Sequence, residues 1–217
     1  KPMTPQHHLP ADIERTSMAI ITEELQVRGA DIPPENAAVV KRVIHTTADF
    51  DYAENLQFTP GAAAAGVAAM QAGATIITDT NMALAGITKP GLADWGVGPL
   101  FYGGTRAVAA MHLAAQQYPG AVLAVGNAPT ALLAIAEEIE TGLRPALVIG
   151  VPVGFVNVVE SKERLLAVCE RYGVPAIVAM GRKGGSTVAA AICNALLYSA
   201  AEMLAQPPEG GNSIIYN

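Results

Sequence analysis

Aromatic side chains make up 5% of the 217 residues and charged ones 15%, with 2 cysteines and 4 histidines. Each scarcity excludes something. Cys169 and Cys193 lie far apart in predicted helices without a C-x-x-C partner, so they are read as buried thiols rather than a disulfide or a metal pair. A net charge of −6 argues against general nucleic-acid binding, which needs a basic face to displace counterions. The apolar runs are broken every few residues by Gly, Pro, Asn or Glu, and none reaches the length of a membrane span. The opening residues, KPMTPQHHLPADIE, lack both the apolar core of a signal peptide and the Arg/Ser pattern of a transit peptide, which predicts a cytoplasmic protein. His7 and His8 fall in this lead-in and His112 sits between Met111 and Leu113; with no Asp or Cys at ligand spacing, no metal site is expected.

What the chain does have is small and apolar residues, 51% hydrophobic overall, in two successive patterns. Ile13, Met18, Ile20, Ile21 and Leu25 recur at helical spacing until Gly29. A second helix is predicted from about Pro33–Pro34 to Thr47, and a third, capped by Thr59 with Pro60 in its first turn, to Gly73. Then ATIIT, AVLAV, PALVIGV and PAIVAM appear, short β-branched runs each followed by a helical segment (105–117, 129–141, 159–172, 186–204). Almost wholly apolar strands alternating with helices predict an α/β fold, with a mainly parallel sheet covered by helices on both faces in three layers. One domain is expected over 12–204, after a lead-in at 1–11 and before a loose tail at 205–217.

The loops after those runs, TDTNM (78–82), GNAPT (126–130), GVPVGF (150–155) and GRKGGS (181–186), would all leave a parallel sheet at its carboxyl edge, where ligands of open α/β sheets bind. Their small residues leave room for a broad ligand, and helix N-termini there can receive anions. For any one loop, a tight strand-to-helix turn is the plainer reading. GRKGGS lacks the spacing of a triphosphate loop, GVGPLF at 96–101 fails the dinucleotide pattern at its third glycine, and no G-x-S-x-G elbow occurs. His45 stands out among the histidines because Lys41 and Arg42 precede it by four and three residues, on its side of a predicted helix. A histidine that merely closes its helix end is the alternative.

RVIHTTADFDYAENLQF, TDTNMALAGITK, GGTRAVAAM, GNAPTALLAIAEEI, PALVIGVPVGFVNVVESKERL and GRKGGSTVAAAICNALLY, in this order over residues 12–204, resemble the precorrin-8X methylmutase family, which includes cobalt-precorrin-8 methylmutases. The resemblance implies an isomerase of vitamin B12 biosynthesis that moves a methyl group from C-11 to C-12 of a tetrapyrrole, giving hydrogenobyrinic acid or its cobalt counterpart. No external cofactor is implied. It further implies a homodimer with the pocket near the subunit contact. The family's histidine matches His45, and Ser17, Arg42, Lys89 and Arg106 match substrate contacts. A wide apolar ring fringed by carboxylates calls for small-residue walls and a few cations at the rim. On that ground Arg182 and Lys183, the Gly184–Ser186 turn, and Thr80 and Asn127 of the strand-end loops are further substrate-binding candidates. Between Lys89 and Arg106 the chain runs PGLADWGVGPLFYGG where the family has a longer connection, so Trp95, Phe101 and Tyr102 are given no role. Two other classes remain open: a tetrapyrrole carrier without chemistry, and a flavodoxin-like nucleotide binder.

Overall fold

The structure, a computed structural model, describes residues 10–87, 99–101 and 107–205. The candidates Lys89 and Arg106, with Trp95 and Tyr102, lie outside the described residues, as do residues 1–9 of the lead-in and 206–217 of the tail. Helices α1 (Pro10–Val27), α2 (Ala37–Thr47), α3 (Tyr52–Asn55) and α4 (Ala62–Gln71) come first, with a single 3₁₀ turn, Pro34–Asn36, leading into α2. Strand β1 (Leu56–Phe58) lies between α3 and α4. There follow β2 (Ile76–Thr78), α5 (Asn81–Gly86), β3 (Pro99–Phe101), α6 (Ala107–Gln117), β4 (Val122–Val125), α7 (Pro129–Glu140), β5 (Leu147–Gly150), α8 (Val158–Tyr172), β6 (Ala176–Ala179) and α9 (Ser186–Ala205).

The strands form one sheet in the order β1-β6-β5-β4-β2-β3, parallel throughout except that β1 runs antiparallel to β6, with Gln57 opposite Val178. Because successive residues of a strand face opposite sides, each strand feeds two cores. Val122, Ala124, Ile177 and Ala179 join one cluster with residues of α1, α2, α4, α5 and α9; Leu123, Val125, Ala176 and Val178 join the other with α6, α7 and α8. That is the predicted three-layer α/β fold. Strand order reverses between β2 and β4, the two neighbours that the chain leaves in opposite directions. Cys193 and Cys169 sit in the two different cores, both buried and free, so the sheet separates them; burial pushes each thiol up to about 12. Among the described residues no helix is long and apolar enough to cross a membrane.

Two local expectations are corrected. Thr59 does not cap α4: Gly61, at φ 74°, precedes the helix, while the Thr59 hydroxyl accepts the Ala176 N–H at 2.9 Å and ties β1 to the start of β6. Nor are the N–H groups of the turn leading into α7 free for an external anion. The buried Asp79 carboxylate, on the loop after β2, already accepts the N–H groups of Gly126 (2.8 Å), Asn127 (2.9 Å) and Ala128 (2.8 Å).

Candidate functional site

At the point where the strand order reverses, the loops are tied to one another. Besides the Asp79 clamp, the Thr80 Oγ1 accepts the Ala83 N–H at 3.0 Å, capping α5, and lies 2.7 Å from the Ser186 Oγ at the start of α9. Gly126 has to be glycine because a Cβ there would stand 2.7 Å from the Ser186 Cα. Gly184 is under the same constraint, its Cβ falling 2.1 Å from the Val151 carbonyl oxygen, while the Gly185 N–H donates to that oxygen at 2.8 Å. Gly126 and Gly184 therefore serve close packing of backbone on backbone, whereas Gly181 has open space around it.

The cleft that His45 and Arg42 line lies beside this edge, on the α2/α5/α9 face; a larger hollow of about 730 Å³, lined by Arg28, Asp31, Phe50 and Glu54 among others, lies apart from both residues. A cavity of about 270 Å³ is lined by Arg42, His45 and Thr46 of α2, Gly86 of α5, and Thr187, Ala190, Ala191, Asn194 and Tyr198 of α9. Gly86 allows α5 to approach α9 so closely that a Cβ would meet the Ala190 Cβ at 2.8 Å, and Asn194 Nδ2 donates to the Gly86 carbonyl at 3.0 Å. The floor is consequently smooth and apolar, with polar groups at its margin. A second hollow of about 200 Å³, lined by Met18, Thr22, Lys41 and Glu202 among others, adjoins it across Arg42 and Tyr198, which line both.

His45 sits exposed in the last turn of α2. It does not close the helix: Ala48, left-handed at φ 55°, does that by donating its N–H to the Ile44 carbonyl at 2.7 Å. Arg42 Nη1 pairs with Glu14 Oε1 of α1 at 2.7 Å, and its guanidinium stacks 4.9 Å from the Tyr198 ring centroid. A guanidinium placed over a ring and paired with one carboxylate still has N–H donors for a second.

The other sequence-derived candidates are scattered around this cleft rather than collected in it. Ser17 donates its hydroxyl to the Ile13 carbonyl within α1 at 2.8 Å. Asn127 is exposed on the loop after β4 with its N–H on Asp79. Arg182 stacks on the exposed Phe155, 5.3 Å from the ring centroid, and its carbonyl accepts the Gly154 N–H. Lys183 Nζ is bonded to Asp49 Oδ2 and Asp51 Oδ2, both at 2.6 Å, and these carboxylates push its pKa up while it holds that of Asp49 below the usual range.

Sequence reasoning assigned nothing to Asp79, to the pair Asp49 and Asp51, or to Lys162. Lys162 has 0% exposure, and its ammonium donates to the carbonyls of Gly181 and Lys183, both at 2.8 Å; burial pushes its pKa down to about 8. One signal was readable, since Val158, Lys162, Leu165 and Cys169 share helical spacing and place the lysine on an apolar stripe.

The precorrin-8X methylmutase family model matches residues 12–199. The chain is 40% identical over 197 residues to the precorrin-8X methylmutase of Pseudomonas aeruginosa, covering 85% of this chain and 93% of that one. It is 41% identical over 206 residues to the cobalt-precorrin-8 methylmutase of Salmonella typhimurium, covering 87% and 95%. A crystal structure of precorrin-8X methylmutase from Thermus thermophilus superposes with a TM-score of 0.79 at 41% identity, over 88% of this chain and 98% of that one.

Proposed function

The chain belongs to the precorrin-8X methylmutase family and is an isomerase of corrin biosynthesis; from that premise we propose that the α2/α9 cleft receives the macrocycle and that His45 acts on it. The observation that carries this reading is the pairing of His45 and Arg42 above a floor of Gly86, Ala190 and Ala191. A flat, largely apolar ring needs such a floor, and its carboxylates need a cation at the rim. Arg42 is the anchor: the guanidinium is preset by Tyr198, and a substrate carboxylate exchanges with Glu14.

In the reaction the bond from the methyl carbon to C-11 breaks and one to C-12 forms, with no change in composition. A proton or hydrogen bond delivered by the His45 imidazole to the ring system draws electron density towards the migration terminus, and a delivered proton returns once the methyl has moved. Nothing is oxidised and no group leaves.

At about 270 Å³ the hollow lined by His45 is smaller than the roughly 300–1,000 Å³ of pockets for drug-sized ligands, and a tetrapyrrole is larger still, so in this reading the described walls form part of a larger site. A homodimer supplies the rest in this reading. Exposed apolar side chains, including Met82, Val108, Leu113, Phe155 and Val156, provide surface for such a contact. Cytoplasmic location accords with a soluble biosynthetic enzyme. Lys89 and Arg106 remain proposed anchors from the resemblance, and Ser17 a proposed contact.

The test is single-turnover absorbance with precorrin-8X and, separately, cobalt-precorrin-8. Rearranged product is expected with one or both, and binding without conversion would make the protein a carrier. His45→Ala should lose about 10²–10⁴ in rate while keeping product affinity. A variant within threefold of the wild type removes His45 from the chemistry.

A further inference from the structure

Both walls of the cleft at its His45 end are tied to one short loop. Helix α9 begins at Ser186, directly after Gly181–Gly185. Helix α2 ends at Thr47, and the residues that follow its left-handed cap, Asp49 and Asp51, are both bonded to Lys183 of that loop. They are also bonded to each other and back to the helix: the Asp51 N–H donates to Asp49 Oδ1 at 3.0 Å and the Asp49 N–H to Thr47 Oγ1 at 3.2 Å. The loop is held in turn from the opposite face of the sheet. Lys162, on α8, brings its ammonium to the carbonyls of Gly181 and Lys183. A hydrogen-bonded line thus runs from Lys162 to the Lys183 main chain, along the Lys183 side chain to Asp49 and Asp51, and on to the helix end that bears His45.

We infer that Lys162 and Lys183 form a brace that sets the placement of His45 against the first turns of α9, both acting as positioning residues for the methyl shift without touching the substrate. Packing does not call for a lysine at 162. It occupies an apolar stripe, and a Met of similar volume would fill the space without desolvating an ammonium. What the lysine adds is direction: its donors draw two carbonyls to one point and so fix the curvature of the loop. The Lys183 ammonium, shared by two carboxylates, then turns the curvature of that loop into a position for the end of α2. An isolated exposed ion pair contributes little because both side chains roam. Here the lysine main chain is fixed, and the acids lie two residues apart on a chain that has just left a helix. This assignment rests on the reading of His45 as the group that acts on the macrocycle, and it gives Lys183 a task other than anchoring a substrate carboxylate.

The experiment compares Lys183→Ala, Lys183→Arg and Lys162→Met in the wild-type and His45→Ala backgrounds, measuring single-turnover rate with precorrin-8X, product affinity, thermal unfolding, and the NMR resonances of the His45 imidazole. Misplacement of a reacting group by about 1 Å costs up to about 100-fold, so Lys183→Ala and Lys162→Met are expected to lose about 10- to 100-fold in rate with product affinity within about threefold. Lys183→Arg should recover most of the loss, and neither loss should appear in the His45→Ala background, where the group being positioned is gone. An unchanged rate in Lys183→Ala, or an equal loss in both backgrounds, overturns the brace. Should Lys162→Met fail to fold, the Lys183 variants decide the matter alone. If His45→Ala itself costs nothing, the reading of His45 has failed and the role of the brace in the methyl shift falls with it; the resonances then judge the placement alone, which is upheld if they shift in Lys183→Ala and overturned if they do not.

Discussion

The hydroxyls of Thr80 and Ser186, 106 residues apart in the chain, lie 2.7 Å from each other. Two residues that sequence reasoning assigned to the substrate are thus partners of one another, and Thr80 also caps α5 through the Ala83 N–H. Thr80→Val keeps the shape but loses both bonds, and is expected to cost about 1–2 kcal/mol of stability. Ser186→Ala, which loses only the tie, should cost about half as much. Chemical denaturation of both variants checks this; intact stability with weakened product binding would return Thr80 to the substrate.

Asp79→Asn leaves one carbonyl oxygen where two carboxylate oxygens accepted three N–H groups at the N-terminus of α7. Hydrogen bonds to charged acceptors are the stronger kind, and buried N–H groups left unpaired add their own penalty. The expected loss is about 2–4 kcal/mol, which for a chain of this size lowers Tm by roughly 5–15 °C. Calorimetry with an unchanged Tm would show that the clamp contributes nothing.

Glu14 pairs with Arg42 at 2.7 Å, so if Arg42 anchors the substrate as proposed, Glu14 competes with its carboxylate. Glu14→Gln should therefore tighten product binding by about two- to fivefold at low salt, the scale of a half-exposed ion pair, and less at high salt. Arg42→Ala should weaken binding under the same low-salt condition, again with a smaller effect at high salt. Weaker binding in Glu14→Gln would mean that Glu14 orients the guanidinium instead of occupying it.

Lys162 carries a pH dependence whose sign follows from burial. Its pKa falls from the usual 10.5 to about 8. Below about pH 8 the group is charged in both the folded and unfolded chain, and the cost of burying the ammonium is fully present. Between about 8 and 10.5 the unfolded chain holds a proton that the folded chain has released, so this group's contribution to stability rises with pH, by roughly 3 kcal/mol at most. Measured against Lys162→Met, which lacks the group, the wild type should gain stability across that window. A constant difference between the two from pH 7 to 10.5 would contradict the shift. The neutral amine keeps two N–H donors for its two carbonyls, so the loop survives the titration.

The parallel strands and the helices that follow them were legible because their signals are local. Runs such as Val122–Val125 and Leu147–Gly150 are apolar at every position, as strands buried on both faces must be, and α7 and α9 begin where the pattern placed them. Strand β1, LQF, was not legible: it is three residues long, and the antiparallel β6 that makes it a strand lies some 120 residues away. Thr59 looked like a helix cap for the same reason, its actual partner being the N–H of Ala176, 117 residues on.

Composition and motif order alone determined the α/β class, the family resemblance, and the choice of His45 and Arg42, because periodicity and residue type act over a few neighbouring positions. Only the tertiary structure decided which polar groups are already spent. Asp79 takes the N–H groups of the turn leading into α7, Thr80 and Ser186 share one hydrogen bond, and Lys183 serves Asp49 and Asp51, 134 and 132 residues distant. A hydrogen bond or ion pair needs its partners within about 3 Å, and the chain reveals which distant groups come that close only once the sheet has brought its loops to one edge.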